Sequence, residues 1–267
     1  MNIFLGKVIK LTFIFTLFLQ SFALSIENKI MLKINNQIIT TIDVYQEANY
    51  LKALNPNIQN LDKKKILDIA RSSLIREKIK EIELSKYKKN EINPKYLEQM
   101  IQSIYTKINL ENKSEFKKYV KNFGIDMKII EKKLQIETRW NQLIYKKFFS
   151  KLKIDKESIR KNIDANREKS ISFLLYEIVF SIDKDNQNNE VFNSIEKSIL
   201  KEGFENAAAI YSISESSKTG GNLGWVNENN INNKILKNVN TLEIGQHTKP
   251  ILIPGGFLIL QLKDKKN

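Results

Sequence analysis

Seven of the chain's nine glycines, Gly203, Gly220, Gly221, Gly224, Gly245, Gly255 and Gly256, lie in its last quarter. Three of them stand close together in SSKTGGNLGW, residues 216–225, and run straight into Trp225. Glycine takes positive φ at no steric cost. The last quarter therefore needs backbone shapes that the preceding sequence does without. Two units are expected, the first built on long helices and the second on tight loops and strands.

Charge divides at the same place. Residues 168–267 carry 11 basic and 12 acidic side chains, whereas residues 24–167 carry 31 and 18, a net of +13. Such a split marks two units with different tasks. The basic unit can attract acidic partners, such as acidic stretches of unfolded chains or anionic lipid. It can equally be a set of solvated helix faces filled with lysine. A hydrophobic content of 42% with 28% charged residues is that of a globular chain. The sequence has no cysteine, which excludes disulfides and thiolate chemistry. One histidine, with no His/Asp/Glu cluster at ligand spacing, argues against a metal enzyme, and no cofactor is expected.

The first residues, MNIFLGKVIK, carry Lys7 and Lys10 and no acid, and LTFIFTLFL follows as an apolar run of nine. Ser21 and Ala23 then occupy the small-residue positions of a cleavage site. Residues 1–23 are expected to be a signal peptide removed near Ala23, leaving an exported, periplasmic protein. The apolar run is short for a bilayer span of about 20 residues. The alternative is an uncleaved inner-membrane anchor over residues 3–22. Export disfavours nucleic acid as a partner, and no basic–aromatic recognition motif occurs.

Within 24–167, residues 30–34 and 37–40 are β-prone runs joined at Asn35-Asn36, which predicts a tight hairpin. Thr41 or Asp43 is expected to cap a helix reaching about Leu54. Asp62, the Asn93-Pro94 pair, Ser114, Asp126 and Asp155 mark five further helix starts. Tyr145, Phe148 and Phe149 crowd one helix end. Apolar stripes at helical spacing usually face a core, so these three are expected inside, with an apolar peptide groove as the alternative.

From Ser170 the texture changes. ISFLLYEIVFSI predicts a buried strand, residues 190–202 an amphipathic helix stopped by Gly203, and FENAAAIYS a second, shorter helix. The glycine loop, a helix near 231–239, the LEIGQHTKPILI segment and a final strand GFLILQL complete a small α+β domain, 168–267.

The words GFENAAAIYSISESSKTGGNLGWV and LEIGQHTKPILIPGGFLILQL, in this order, resemble the parvulin-type peptidyl-prolyl isomerase domain. Upstream, INNQIITTIDVYQEANYL followed by long helices is similar to the N-terminal domain of SurA-type periplasmic chaperones. The resemblance implies an α+β chain in which a mostly helical chaperone domain, 24–167, precedes a parvulin-like domain with a mixed sheet. It implies that Gly220 and Gly221 turn a loop sharply into a strand beside a substrate cleft. Gly224 is expected to allow close backbone approach, with Trp225 packed on it.

The family's cleft has two histidines, a cysteine or aspartate, and apolar side chains that hold a proline ring. On this sequence the first histidine position is Glu177, the second Leu258, and the cysteine/aspartate position Ser214. Ile231 and Ile235 fall at the ring-holding positions, and Trp225 and Phe257 complete the expected substrate-binding set. His247 lies on a different element, in a polar turn, and is expected at the surface. With every polar member changed, the resemblance implies a chaperone whose isomerase domain is weak or inactive; the alternative is a working isomerase with an altered site. The implied partners are unfolded or partly folded exported polypeptides, outer-membrane proteins among them. Relatives of this type often add a second isomerase domain and a C-terminal segment that completes the N-terminal domain. Here KDKKN follows the last strand, so the core is expected to close with the elements present or by self-association.

Overall fold

The computed structural model describes residues 28–88, 91–149, 170–181 and 188–266. The leader and the helix expected after Asp155 lie outside them. Strands β1 (Ile30–Ile34) and β2 (Gln37–Thr40) form the expected antiparallel hairpin. Asn35 makes the turn at φ 50°, a region asparagine tolerates better than most residues. Helix α1 (Thr41–Leu54) is capped one residue before Thr41 and three before Asp43, the two expected caps. Thr40 is the N-cap, and Asp43 closes a reciprocal capping box onto the Thr40 N–H. Asp43 therefore does contribute to the start, but from the third helical position.

A 3-10 turn (Pro56–Asn60) leads to α2 (Lys63–Ser85), capped by Asp62. Helix α3 (Pro94–Lys107) is capped by Asn93 with Pro94 in its first turn. Helix α4 (Lys113–Asn122) is capped by Asn112 rather than Ser114, because the Asn112 carboxamide reaches the Glu115 N–H. Helix α5 (Met127–Phe148) is capped by Asp126. These elements enclose one core in which Leu51, Ile58, Ile101, Phe116 and Ile130 are almost wholly buried. Side chains of this size each contribute about 1.5–3 kcal/mol on full burial.

The core interior stops short of the end of α5. Tyr145, Phe148 and Phe149 are exposed, at 59%, 48% and 42%. The expectation that they face a core is overturned. Tyr145 and Phe149 instead pack on each other, one helical turn apart, with ring centroids 4.4 Å apart.

The second unit is a four-stranded sheet covered on both faces. Its strands are β3 (Ser172–Phe180), β4 (Asn222–Asn227), β5 (Ile251–Ile253) and β6 (Gly256–Lys266), in the order β4-β3-β6-β5. Every pair is antiparallel, so the sheet is not the mixed one expected. The long central strands β3 and β6, far apart in sequence, pair along the whole of β3, from Ser172 with Lys266 to Phe180 with Phe257. Helices α6 (Asn188–Glu202) and α7 (Phe204–Tyr211) cover one face, with Ile178, Ile195, Phe204 and Ile259 at the centre. Helix α8 (Asn233–Val239) covers the other, over Phe173, Leu175, Leu258, Leu260 and Leu262.

The two units share a contact surface. Ala209 of α7 is counted among the buried residues of the helical core, and Ile210 packs against it. Lys218, in the 3-10 turn Glu215–Thr219, lies buried between Glu215 (2.7 Å) and Glu137 of α5 (3.6 Å). Lys80 of α2 pairs with the same two carboxylates. Burial works against the Lys218 charge, yet Glu215, Tyr50 and Glu137 together hold its pKa above the ordinary lysine value. Glu215 is likewise opposed by burial, but Lys218 and Lys80 bring it down to about 2. No helix among the described residues is long and apolar enough to cross a membrane.

Candidate active site

Alternation along β3 decides which side chains can meet. Phe173, Leu175, Glu177 and Val179 point to the α8 face, and Tyr176, Ile178 and Phe180 to the α6–α7 face. Glu177 pairs with Leu260 across the β3–β6 ladder, and Leu258 pairs with Val179. Glu177 and Leu258 thus lie on one face of the sheet.

Glu177 is held by two hydroxyls. Ser214 Oγ donates to Glu177 Oε1 at 2.6 Å, and Ser216 Oγ donates to the same oxygen at 2.8 Å. Ser214 also caps the 3-10 turn, its Oγ accepting from the Ser216 N–H. Ser216 is a site residue that sequence reasoning missed. The SISESS spelling, with serines two apart around a cap, was the available signal.

Leu258 is 7% exposed and lies in an apolar floor with Leu260, Ile251 and Val239. Ile231 and Ile235 pack at the edge of that floor, half-buried. Trp225 and Phe257 are elsewhere. Trp225 pairs with Leu174 and carries the Lys266 ammonium 4.1 Å above its ring. Phe257 stacks on Phe180 at 5.7 Å, within the α6–α7 layer. The expected substrate-binding set is therefore divided between the two faces of the sheet, with Ile231 and Ile235 alone beside Leu258.

The glycine loop behaves as expected at one position and not at another. Gly221 has φ +81°, and a Cβ there would lie 2.3 Å from the Glu177 carbonyl oxygen. This is the close approach. Gly224 has φ +78°, but a Cβ would meet nothing within 4 Å. Its role is the left-handed conformation, and the close approach expected of it is corrected to Gly221.

His247 is half-buried rather than at the surface. It bridges to Gln261 of β6, and its Nε2 stands 3.7 Å from Glu196 of α6. Glu196 and Phe204 place its ring on the α6–α7 face of the sheet, opposite Glu177, so it joins no constellation with Ser214. No group of three or more potential ligands forms a metal site among the described residues.

A second missed residue comes from the other unit. Lys107, the last residue of α3, donates to the Asn222 carbonyl at 2.8 Å, at the start of β4. Burial lowers its pKa below the ordinary lysine value, and the Glu177 charge opposes that shift. The helical unit thus places a cation next to the carboxylate that stands at the first histidine position. No local sequence pattern could have linked residues 115 positions apart.

Prolyl isomerisation must lower a barrier of about 18–20 kcal/mol set by amide resonance. Help from the protein would come from donors aimed at the twisting amide. Here the Ser214 and Ser216 hydroxyls spend their hydrogens on Glu177, and Leu258 has none to give. Beside Glu177 stand these two hydroxyls and the Lys107 ammonium, with the buried cluster around Leu258 on the same face of the sheet.

Residues 176–264 match the Rotamase family model, the PPIC-type PPIASE domain. Chaperone SurA of Pseudomonas putida is 35% identical over 69 residues, which is 25% of this chain but 16% of that relative's length. A crystal structure of a PpiC-type peptidyl-prolyl cis-trans isomerase domain is 31% identical and covers 36% of this chain and 92% of its own, with a TM-score of 0.31. PrsA from Bacillus subtilis is 18% identical, covering 88% of this chain and 78% of its own, with a TM-score of 0.31. A SurA-like chaperone from Campylobacter jejuni, from work on PEB4 and Cj1289, is also 18% identical, covering 89% and 83%, with a TM-score of 0.32.

Proposed function

We propose that this chain, which carries a PPIC-type isomerase domain behind a helical unit, is an ATP-independent periplasmic chaperone. It holds unfolded or partly folded exported polypeptides, outer-membrane proteins among them. The isomerase-type domain serves as a wall for peptide and catalyses prolyl isomerisation weakly or not at all. The observation that carries the reading is the Glu177–Ser214–Ser216 arrangement opposite Leu258. The two serine hydroxyls beside Glu177 donate to it, and Leu258 has no donor to offer. The exposed aromatic end of α5 and the exposed Ile30, Met31 and Ile38 of the hairpin add apolar surface for a client. Export rests on the leader, and the mass of the protein recovered from cells should begin after Ala23.

The decisive assay is cis/trans exchange on a short proline peptide with the mature chain, beside suppression of aggregation of a chemically unfolded client. Uncatalysed exchange takes tens to hundreds of seconds, so even modest catalysis is visible. The expected result is suppressed aggregation with an exchange rate within about twofold of the uncatalysed one. Clear acceleration that disappears in Glu177→Ala or Ser214→Ala would establish the alternative, an active isomerase working without the usual histidines.

A further inference from the structure

The C-terminal ends of α2 and α5 lie side by side. Lys147 joins them, 3.4 Å from the Glu83 carboxylate and 5.1 Å from the centre of the Tyr87 ring. Six aromatic side chains are exposed among the described residues, and four of them, Tyr87, Tyr145, Phe148 and Phe149, stand at this end. Single exposed apolar side chains are ordinary, whereas a cluster marks an interaction surface. Cations gather at the same end. Residues 82–88 and 139–149 hold Lys86, Lys88, Arg139, Lys146 and Lys147 against one acid, Glu83. Two helix C-termini together present about one negative charge, so about three positive charges remain beyond what helix ends and Glu83 neutralise.

Lys86 and Lys147 pair with Glu83. Lys88, Arg139 and Lys146 form no ion pair among the described residues. All three line one recess of about 160 Å³, with Leu84, Tyr87 and Leu143. It is smaller than a drug-sized site and suits a compact anionic group. Position decides what carries that anion. Tyr145, Lys146 and Phe149 fall within about 6 Å of helix rise. A membrane–water interface collects basic and aromatic side chains at one level in this way, with rings among the headgroups and cations on the phosphates. The rings stand outside the recess, on a helix end that offers an extended peptide no strand edge to pair with. No helix among the described residues is long and apolar enough to span a bilayer, so the contact is with its surface.

We propose that the joined ends of α2 and α5 dock on an anionic phospholipid surface. A lipid phosphate enters the recess between Lys88, Arg139 and Lys146, and the Tyr145 and Phe149 rings settle among the headgroups. The proposal goes beyond the chaperone reading and does not depend on it.

The test is co-sedimentation of residues 24–267, which lack the apolar leader, with vesicles of phosphatidylcholine alone or mixed with phosphatidylglycerol in equal parts. Partitioning should favour the anionic vesicles at least about tenfold and fall as salt is raised. Arg139→Gln/Lys146→Gln should lower it about tenfold or more, near fivefold for each cation. Tyr145→Ser/Phe149→Ser should lower it at least about fivefold. The control Lys117→Gln/Lys118→Gln removes two exposed charges from α4, which leads into the opposite end of α5, and should change it by less than about twofold because salt screens distant charges. Circular dichroism and urea midpoints check that each variant folds. Equal binding to both vesicles, or a control that loses as much as the Arg139/Lys146 variant, overturns the proposal. Loss with the cations but not with the rings makes the recess a plain phosphate site and overturns the membrane dock. So does binding of a blocked peptide of alternating glutamate and leucine through these residues without binding of vesicles. Aggregation suppression by the same chain tests the chaperone reading separately. A chain that binds anionic vesicles without suppressing aggregation keeps the dock and loses that reading, and the reverse result keeps the reading and loses the dock.

Discussion

Gly221→Ala is expected to destabilise the protein by about 3 kcal/mol or more, against about 1–2 kcal/mol for Gly224→Ala three residues later. Both glycines have a left-handed backbone, at φ +81° and +78°, so both substitutions meet the same local penalty. They differ in what the new methyl touches. At Gly224 it enters open space. At Gly221 it lies 2.3 Å from the Glu177 carbonyl oxygen and 3.2 Å from the Glu177 nitrogen. Neither is the end of a flexible side chain, so strand β3 or the loop itself must move. Movement breaks the Glu177 N–H bond to the Gly221 carbonyl (2.8 Å) and the Gly221 N–H bond to the Ser216 carbonyl (2.7 Å), each worth about 0.5–1.5 kcal/mol. Urea midpoints of the two variants measure the difference directly. Equal midpoints would show that the loop relaxes without cost, and that Glu177 is not fixed by the glycine pair.

The same stretch shows how far a sequence can be read. Capping residues act within three or four positions of themselves, and Asp62, Asn93 and Asp126 all cap the helices expected of them. The misplaced starts, at Thr41 or Asp43 and at Ser114, were near neighbours of the true caps Thr40 and Asn112, where two eligible side chains competed for the same N–H groups. Glu177, Ser214 and Leu258 were singled out through the order of motifs; Ser214 donates to Glu177, and Leu258 lies on the same face of the sheet. Trp225 and Phe257 were expected in the same substrate-binding set, but strand alternation sends them to the opposite face. One residue along a strand exchanges the two faces, so a motif match alone does not decide which way a side chain points. Least legible were the contacts between distant elements. Lys107 against Asn222, and Lys218 against Glu137, join separate units through single charged side chains, and in a chain this rich in lysine no individual lysine stands out.

The buried lysine of the helical unit supplies the other large effect. Lys133 of α5 is 7% exposed and sits between Glu47 of α1 (2.6 Å) and Glu77 of α2, with the Tyr50 ring 4.9 Å away. Ser73 donates to the second Glu47 oxygen at 2.7 Å. Burial works against the Lys133 charge, but Glu47, Glu77 and Tyr50 outweigh it, and its pKa is raised above 10.5. A cation whose pKa is raised by folding contributes its full stability below the unfolded value and loses it as the pH climbs through the folded one. Lys133 therefore adds no pH dependence to the wild type between pH 5 and 8. Lys133→Met preserves much of the volume but leaves two buried carboxylates without their cation. The expected cost at pH 7 is about 3–5 kcal/mol. Without the cation, burial raises the pKa of both carboxylates in the folded state, so that state binds more protons than the unfolded chain. Stability of the variant should then recover as the pH falls from 8 to 5, narrowing its gap to the wild type. Adding Glu47→Gln and Glu77→Gln to Lys133→Met removes the stranded charges, and should restore most of the loss at pH 7 and abolish the pH-dependent gap. Urea midpoints of the three proteins at pH 8, 6.5 and 5 separate the possibilities. A gap that stays constant across this range would mean that solvent reaches the carboxylates once Lys133 is gone, and that the triad is held by packing of α1, α2 and α5 rather than by its charges.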